Sequence, residues 1–112
     1  MARDTDKTGV LRGALDVLVL QALSSRPKHG FEISLWIEEG SGGAIDLDDS
    51  ALYQSLHRLE ARSLIKGAWG VSDNNRRAKY YSLTAAGRQQ LRAQVSNWKR
   101  YAAAMFKVLD PA

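Results

Sequence analysis

The 112-residue chain contains no cysteine and only two histidines. Without cysteine it has no disulfides, thiolate nucleophiles, zinc–thiolate sites or thiol redox sensors. A metal site would have to draw its ligands from acidic residues scattered along the chain, so we expect no metal and no cofactor. The residues also supply no nucleophile–base–acid set and no glycine-rich phosphate loop, which argues against an enzyme. This composition is typical of a cytoplasmic protein.

Long apolar runs are absent too. The run from Val17 to Leu20, for example, is far shorter than the roughly 20 residues that cross a bilayer. The start, Met1–Lys7, mixes both signs of charge and does not have the pattern of a secretory signal. We therefore expect no contact with a membrane, and we expect residues 1–9 to form a flexible polar arm.

Acidic residues are scarce in the second part of the chain. Residues 1–49 carry five Lys or Arg against nine Asp or Glu, whereas residues 50–100 carry ten against two. A basic surface inside a folded domain is typical of proteins that bind a polyanion, although a merely solvated face would have the same charge.

Apolar spacing predicts four helices and one β-hairpin. The predicted elements are helices over 11–25, 29–39, 49–63 and 85–109, and strands over 64–72 and 77–83. Asp48 or Asp49 is expected to cap the third helix and Thr84 the last one, while His29 is most simply a structural or capping residue.

The third helix divides into two faces. Leu52, Leu56 and Leu59 share one side. The other side presents hydrogen-bonding groups, namely Ser50, Gln54 and His57 with Ala61, flanked by Tyr53 and Arg58. Glu60 cannot face Arg58 at that spacing, so we expect Arg58 to be free to meet a phosphate.

The hairpin combines a basic tip with an apolar root. Arg76, Arg77 and Lys79 lie at the turn and on the returning strand, and Asn75 tolerates the positive φ of a tight turn. The predicted anchors of the root are Trp69, Val71, Tyr81 and Leu83.

The last helix is longer than so small a domain can cover. Its apolar positions repeat as a heptad seam. They are Leu91, Val95, Trp98, Ala102, Met105 and Leu109. The first helix is apolar on two sides, and we expect Leu15 and Leu18 to join this seam in a homodimer interface.

The order of elements predicts a mainly α fold with a small β-hairpin, a winged helix-turn-helix with a long C-terminal dimerisation helix. Residues 10–83 would form the DNA-binding domain and residues 84–112 the dimerisation helix. A winged helix that binds only proteins, without specific DNA binding, is the alternative.

Five motifs resemble those of the PadR family of bacterial transcriptional regulators. They are LRGALD at 11–16, HGFEI at 29–33, SALY at 50–53, LHRLE at 56–60 and NRRAKYYSLTAAG at 75–87. The resemblance spans about residues 10–108, and the short C-terminal part is similar to the family's small subgroup.

The resemblance implies a homodimer that binds DNA, usually a repressor released by a small molecule. Because two related third helices would enter successive major grooves, we expect a palindromic operator. The resemblance also implies DNA contacts at Ser50, Tyr53, His57 and Arg58, and at Arg76, Arg77, Lys79 and Asn75 on the wing.

Three positions depart from the family pattern: Gln54 replaces a proline, Ser63 a glycine and Phe31 a tyrosine. Gln54 adds an amide that can read a base. Trp98 is either dimer core or a platform for a planar effector between subunits.

Overall fold

A computed structural model describes the backbone of residues 4–110 and the side chains of residues 13–110. The elements in chain order are α1 (Asp4–Ala22), β1 (Lys28–His29), α2 (Gly30–Gly40), α3 (Asp49–Ala61), β2 (Ile65–Val71), β3 (Arg77–Leu83) and α4 (Ala85–Leu109). The strands form one antiparallel sheet in the order β1-β3-β2. The predicted fold class, mainly α with a small β-hairpin, is confirmed.

Helix α1 is the centre of the core and packs against α2, α3 and α4. Its two-sided apolar pattern is therefore satisfied largely within the protomer. Val19, Leu20 and Leu23 are completely buried or nearly so. The helix begins at Asp4, so residues 4–9 are helical where the sequence predicted a flexible arm. Residues 1–3 of the expected arm lie outside the described residues.

Helix α2 begins with a capping box. His29 Nδ1 accepts from the backbone N–H of Glu32, and Glu32 Oε1 accepts from the backbone N–H of His29. This confirms the capping role predicted for His29. Burial opposes the ionisation of Glu32, but the His29 hydrogen bond and the Arg26 guanidinium, 3.3 Å away, lower its pKa overall.

The strand β1 was not predicted, because two residues carry no recognisable period. Lys28 and His29 pair with Tyr81 and Tyr80 of β3. The Lys28 side chain is buried, and its ammonium donates to the carbonyl of Ala22, the last residue of α1. Burial, assisted by the charge of Arg26, lowers the pKa of Lys28.

The link between α3 and the sheet is tight. Ser63 has a φ of 59°, in the left-handed region that favours glycine. The Thr84 hydroxyl donates to the carbonyl of Ser63 and accepts from the N–H of Gly87, which confirms Thr84 as the α4 cap. A Cβ at Gly87 would collide with the Leu64 carbonyl, so glycine is required there.

Helix α4 has two halves with different surroundings. Leu91 is 8% exposed, and Val95 and Trp98 pack partly against the core. Beyond Trp98 the side chains leave the core, and Leu109 is 69% exposed. Leu15 is also buried in its own protomer, at 4% exposure, with Leu18 packed partly against the core. Leu15 and Leu91 therefore belong to the protomer core instead of a free dimer seam, because α1 and α4 pack against each other.

Candidate nucleic-acid interface

The outward side of α3 is polar and solvent-exposed. Ser50, Gln54, His57 and Ala61 are all exposed, and we call these four residues the reading face. The opposite side is fixed by Leu52, Leu56 and Leu59, which are at most 2% exposed. The helix starts at the N-cap Asp48, whose carboxylate accepts from the N–H of Ala51 at 2.7 Å. The predicted division of α3 into a buried and an exposed side is confirmed.

The hairpin of β2, β3 and their turn, residues 65–83, is the wing. Asn75 has a φ of 62° at its turn, as the sequence predicted. One face of the wing carries both the apolar root and the cations, because alternate residues share a face. Ile65, Tyr81 and Leu83 are buried at the root. Trp69 and Val71 on the same face are 61% and 66% exposed, so the prediction that they anchor the root is wrong. In the strand register Trp69 lies opposite Lys79 and Val71 opposite Arg77, closer to the tip of the wing than the buried root.

A cleft with a volume of about 800 Å³ lies between the wing and the start of α2, and we call it the wing cleft. The start of α2 contributes Phe31, which is 72% exposed, and α3 contributes Tyr53. The wing contributes Trp69, Arg76 and Arg77. The cleft thus combines exposed aromatic rings with cations.

The cations of the wing differ in their surroundings. The Arg77 guanidinium lies 4.4 Å from the centre of the Trp69 ring, which holds it by a cation–π contact. Lys79 instead pairs with Glu60 of α3 at 3.3 Å and lies over the Tyr81 ring. The family resemblance implies a DNA contact for Lys79, and in the structure its ammonium is already paired with Glu60.

Arg58 is also paired. Its Nη2 donates to Oδ1 of Asp16 at 2.7 Å and its Nε donates to Oδ2 at 3.3 Å. The prediction that Arg58 is free to meet a phosphate is therefore wrong for the structure without DNA. The spacing argument excluded Glu60 correctly but could not identify Asp16, which lies on another helix.

Tyr53 lies at the start of α3, close to the start of α2. A Cβ added to Gly30 would come within 2.7 Å of the Tyr53 hydroxyl, so the small residue makes room for the ring. Tyr53 is 48% exposed and lines the wing cleft. It therefore packs on α2 and presents part of its ring to solvent.

The C-terminal half of α4 forms a second exposed feature. Met105 is 42% exposed, and Tyr101, Phe106, Val108 and Leu109 are 59–77% exposed. Trp98 and Tyr101 meet edge to face at 5.7 Å, beside a shallow groove of about 630 Å³. None of the helices described over residues 4–110 has the length and hydropathy of a bilayer-spanning segment.

Three residues that form or support this surface were not recognised from sequence. Trp69 was assigned to the root, although its position opposite Lys79 in the hairpin register could have placed it nearer the tip. Phe31 was noted only as a departure from a family pattern. Asp16 gave the clearest missed signal, since a carboxylate between Leu15 and Val17 in an apolar helix needs a charged partner.

Comparison with known proteins gives one family. Residues 19–93 match the model of the transcriptional regulator PadR-like family. An uncharacterised protein of Lysinibacillus sphaericus is 31% identical over 93 residues, which are 82% of this chain and 84% of that protein. A PadR family transcription regulator from Clostridium difficile is 28% identical, with a TM-score of 0.73 over 85% of this chain and 97% of the other. The structure of Bacillus subtilis PadR in complex with operator DNA is 23% identical, with a TM-score of 0.64 over 72% of this chain and 46% of the other. That last likeness shows a shared fold.

Proposed function

Because this chain belongs to the PadR-like family of transcriptional regulators, we propose that it binds double-stranded DNA through α3 and the wing. The observation that carries the proposal is the position of the polar reading face beside a wing that exposes Arg76 and Arg77. A helix about 10–12 Å wide fits the major groove, where the amide of Gln54 and the imidazole of His57 can meet base edges. The wing guanidiniums would meet phosphates. The solved complex of Bacillus subtilis PadR, which shares this fold, with operator DNA supports DNA binding as the function.

We assign base reading to Ser50, Gln54 and His57, and contacts with the DNA backbone to Tyr53, Asn75, Arg76 and Arg77. Gln54 is exposed, and its amide lies 3.5 Å from the Ser50 hydroxyl. An amide so weakly held can turn to form the bidentate contact that favours adenine. Lys79 would contribute less than the two arginines because Glu60 already neutralises it.

The functional unit we propose is a homodimer joined through α4. The helix has 25 residues and leaves Met105, Phe106 and Leu109 exposed near its end. A second copy would cover this surface through the outer part of the seam, namely Trp98, Ala102, Met105 and Leu109, with Val95 at its margin. Two related α3 helices would then enter successive major grooves, so the operator is expected to be palindromic, with half-sites about 10 base pairs apart. Occupying such an operator represses transcription by excluding polymerase.

The dimer is tested with substitutions that a single protomer tolerates. Leu91 is unsuitable, since a charge there would disrupt the protomer core. We expect Met105→Glu with Leu109→Glu to give a folded monomer in sedimentation at micromolar concentration, with helical circular dichroism retained. The matched control, Lys107→Glu, changes a charge on the same exposed turn. A wild type that sediments as a monomer would contradict the proposal.

DNA binding is tested with the DNA upstream of the chain's own gene, by fluorescence anisotropy at physiological salt. We expect tighter binding than to a shuffled duplex of the same composition, and we expect Gln54→Ala to change the preferred sequence. Equal binding to both duplexes would favour the alternative of a winged helix that binds proteins.

Release by a planar effector beside Trp98 completes the proposal. The groove formed by Trp98 and Tyr101 supports it, because two aromatic rings that meet edge to face leave ring surface exposed. The chain has three tryptophans, so Trp36→Phe with Trp69→Phe leaves Trp98 as the single reporter. Planar ligands that quench Trp98 and weaken operator binding support this role, whereas ligands that release DNA without quenching contradict it.

A further inference from the structure

A carboxylate on α1 joins two residues of α3. Oδ1 of Asp16 accepts from the Ser55 hydroxyl at 2.6 Å and from Arg58 Nη2 at 2.7 Å, while Oδ2 accepts from Arg58 Nε at 3.3 Å. We call these three residues the clamp. Two donors of one guanidinium meet both oxygens of one carboxylate, which fixes direction as well as distance.

The clamp is partly shielded from water. Ser55 is completely buried, and the side chains of Arg58 and Asp16 are 35% and 20% exposed. A buried hydroxyl without a partner costs stability, so Asp16 is needed by Ser55 as well as by Arg58. The clamp thus has a defined geometry at the contact between α1 and α3.

The position of the clamp in the fold gives it a further role. Helix α1 packs against α3 on one side and against α4 on another. Asp16 and Leu20 of α1 line a small cavity together with Gln90 and Gln94 of α4. Contacts that fix α3 on α1 therefore also fix the position of the reading face relative to α4.

We infer that the clamp sets the rotation of α3 on α1, and that Arg58 supports DNA recognition through Asp16 instead of through a phosphate. Asp16, Ser55 and Arg58 are positioning residues in this assignment. It rests on the proposed function, since it concerns how α3 is presented to DNA.

The experiment compares Asp16→Asn, Arg58→Gln, Arg58→Lys and the double variant Asp16→Asn with Arg58→Gln. The control is Arg62→Gln, which removes the same charge from an exposed position one turn further along. Each protein is titrated with operator and shuffled DNA over a range of salt, at a temperature where circular dichroism shows it folded. Thermal melting of the same proteins provides a readout that does not involve DNA.

If the clamp positions α3, each single variant loses about tenfold in operator affinity, comparable to one lost base contact. Binding to shuffled DNA and the salt dependence remain those of the wild type. Arg58→Lys behaves like Arg58→Gln, because lysine keeps the charge but not the two-pronged geometry. The double variant loses no more operator affinity than either single variant, since either substitution already breaks the pair.

A direct phosphate contact by Arg58 predicts a different pattern. Arg58→Gln then flattens the salt dependence by about 0.9 units, Arg58→Lys retains it, and Asp16→Asn binds as well as the wild type or better. That pattern would overturn the clamp assignment, as would melting-temperature losses of the single variants that simply add.

The controls separate the two proposals. A wild type that does not bind DNA contradicts the proposed function, whereas a binding wild type whose discrimination survives Asp16→Asn contradicts the clamp. If Asp16→Asn does not fold, Ser55→Ala removes one of the three donors and is expected to show a smaller loss in the same ratio of operator to shuffled affinity. No change in that ratio for Ser55→Ala, with Arg58→Lys also unchanged, contradicts the clamp.

Discussion

Removal of both arginines from the wing turn tests the electrostatic part of DNA binding. Arg76 is exposed at the turn, and Arg77 is held over Trp69 at 4.4 Å, so neither needs a large rearrangement to reach a phosphate. Each phosphate contact contributes about 0.9 to the slope of log affinity against log salt. The double variant Arg76→Ala with Arg77→Ala is therefore expected to flatten the slope by about 1.8 units.

This difference in slope has a measurable size. Between about 50 mM and 200 mM salt, a slope difference of about 1.8 corresponds to about a 12-fold change in relative affinity. The variant binds much more weakly than the wild type at the lower salt concentration. At the higher salt concentration the ratio of wild-type to variant affinity is about 12-fold smaller. The loss is expected to be similar for operator and shuffled DNA, because phosphate contacts do not read sequence.

Anisotropy titrations at four or five salt concentrations provide the assay, with three comparisons. Lys66→Ala with Lys107→Ala removes two exposed charges away from the wing tip and is expected to leave the slope nearly unchanged. Trp69→Leu keeps every charge but releases Arg77, so affinity falls by about threefold, the value of a weak cation–π contact, with the slope retained. Lys79→Ala is expected to have a smaller effect than Arg77→Ala because of Glu60. A double-arginine variant with the wild-type slope would refute the reasoning.

Two further predictions concern folding. Ser63→Gly is expected to stabilise the protein by about 0.5–1 kcal/mol in urea unfolding, because a φ of 59° strains serine more than glycine and the greater freedom of unfolded glycine offsets only part of that strain. The control is Gly42→Ala, at a φ of 66°, which is expected to destabilise the protein. Equal unfolding midpoints for the wild type and Ser63→Gly would contradict the prediction. The lowered pKa of Glu32 means that its ionised form stabilises the fold above the unfolded pKa near 4.5, and that this stability is lost as the pH falls through the folded pKa. The stability difference between wild type and Glu32→Gln is thus expected to shrink on acidification, whereas a difference independent of pH would count against it, with Glu38→Gln as the exposed control.

The sequence predicted features that depend on local chemistry. The bounds of β3 and α4, and the caps at His29 and Thr84, match because each depends on a few consecutive residues. The exposed side of α3 also follows from a single helical period.

The sequence predictions that were wrong share a different physical origin. Arg58 pairs with Asp16, which lies 42 residues away in the sequence, and Lys79 pairs with Glu60, which lies 19 residues away in the sequence. Such pairs depend on how helices and strands pack, which no local period encodes. Leu91 fits a heptad seam as well as it fits a protomer core, and only the position of α1 decides between them.

The two halves of α4 have a consequence for regulation by concentration. Leu91 and Val95 already anchor the helix within one protomer, so in the proposed homodimer a protomer could separate from its partner and keep its core. Association and folding are then distinct equilibria. Below the concentration at which pairs form, operator occupancy rises with the square of the amount of chain. A modest change in synthesis or degradation would therefore turn the target promoter on or off more sharply than binding by a single permanent unit allows.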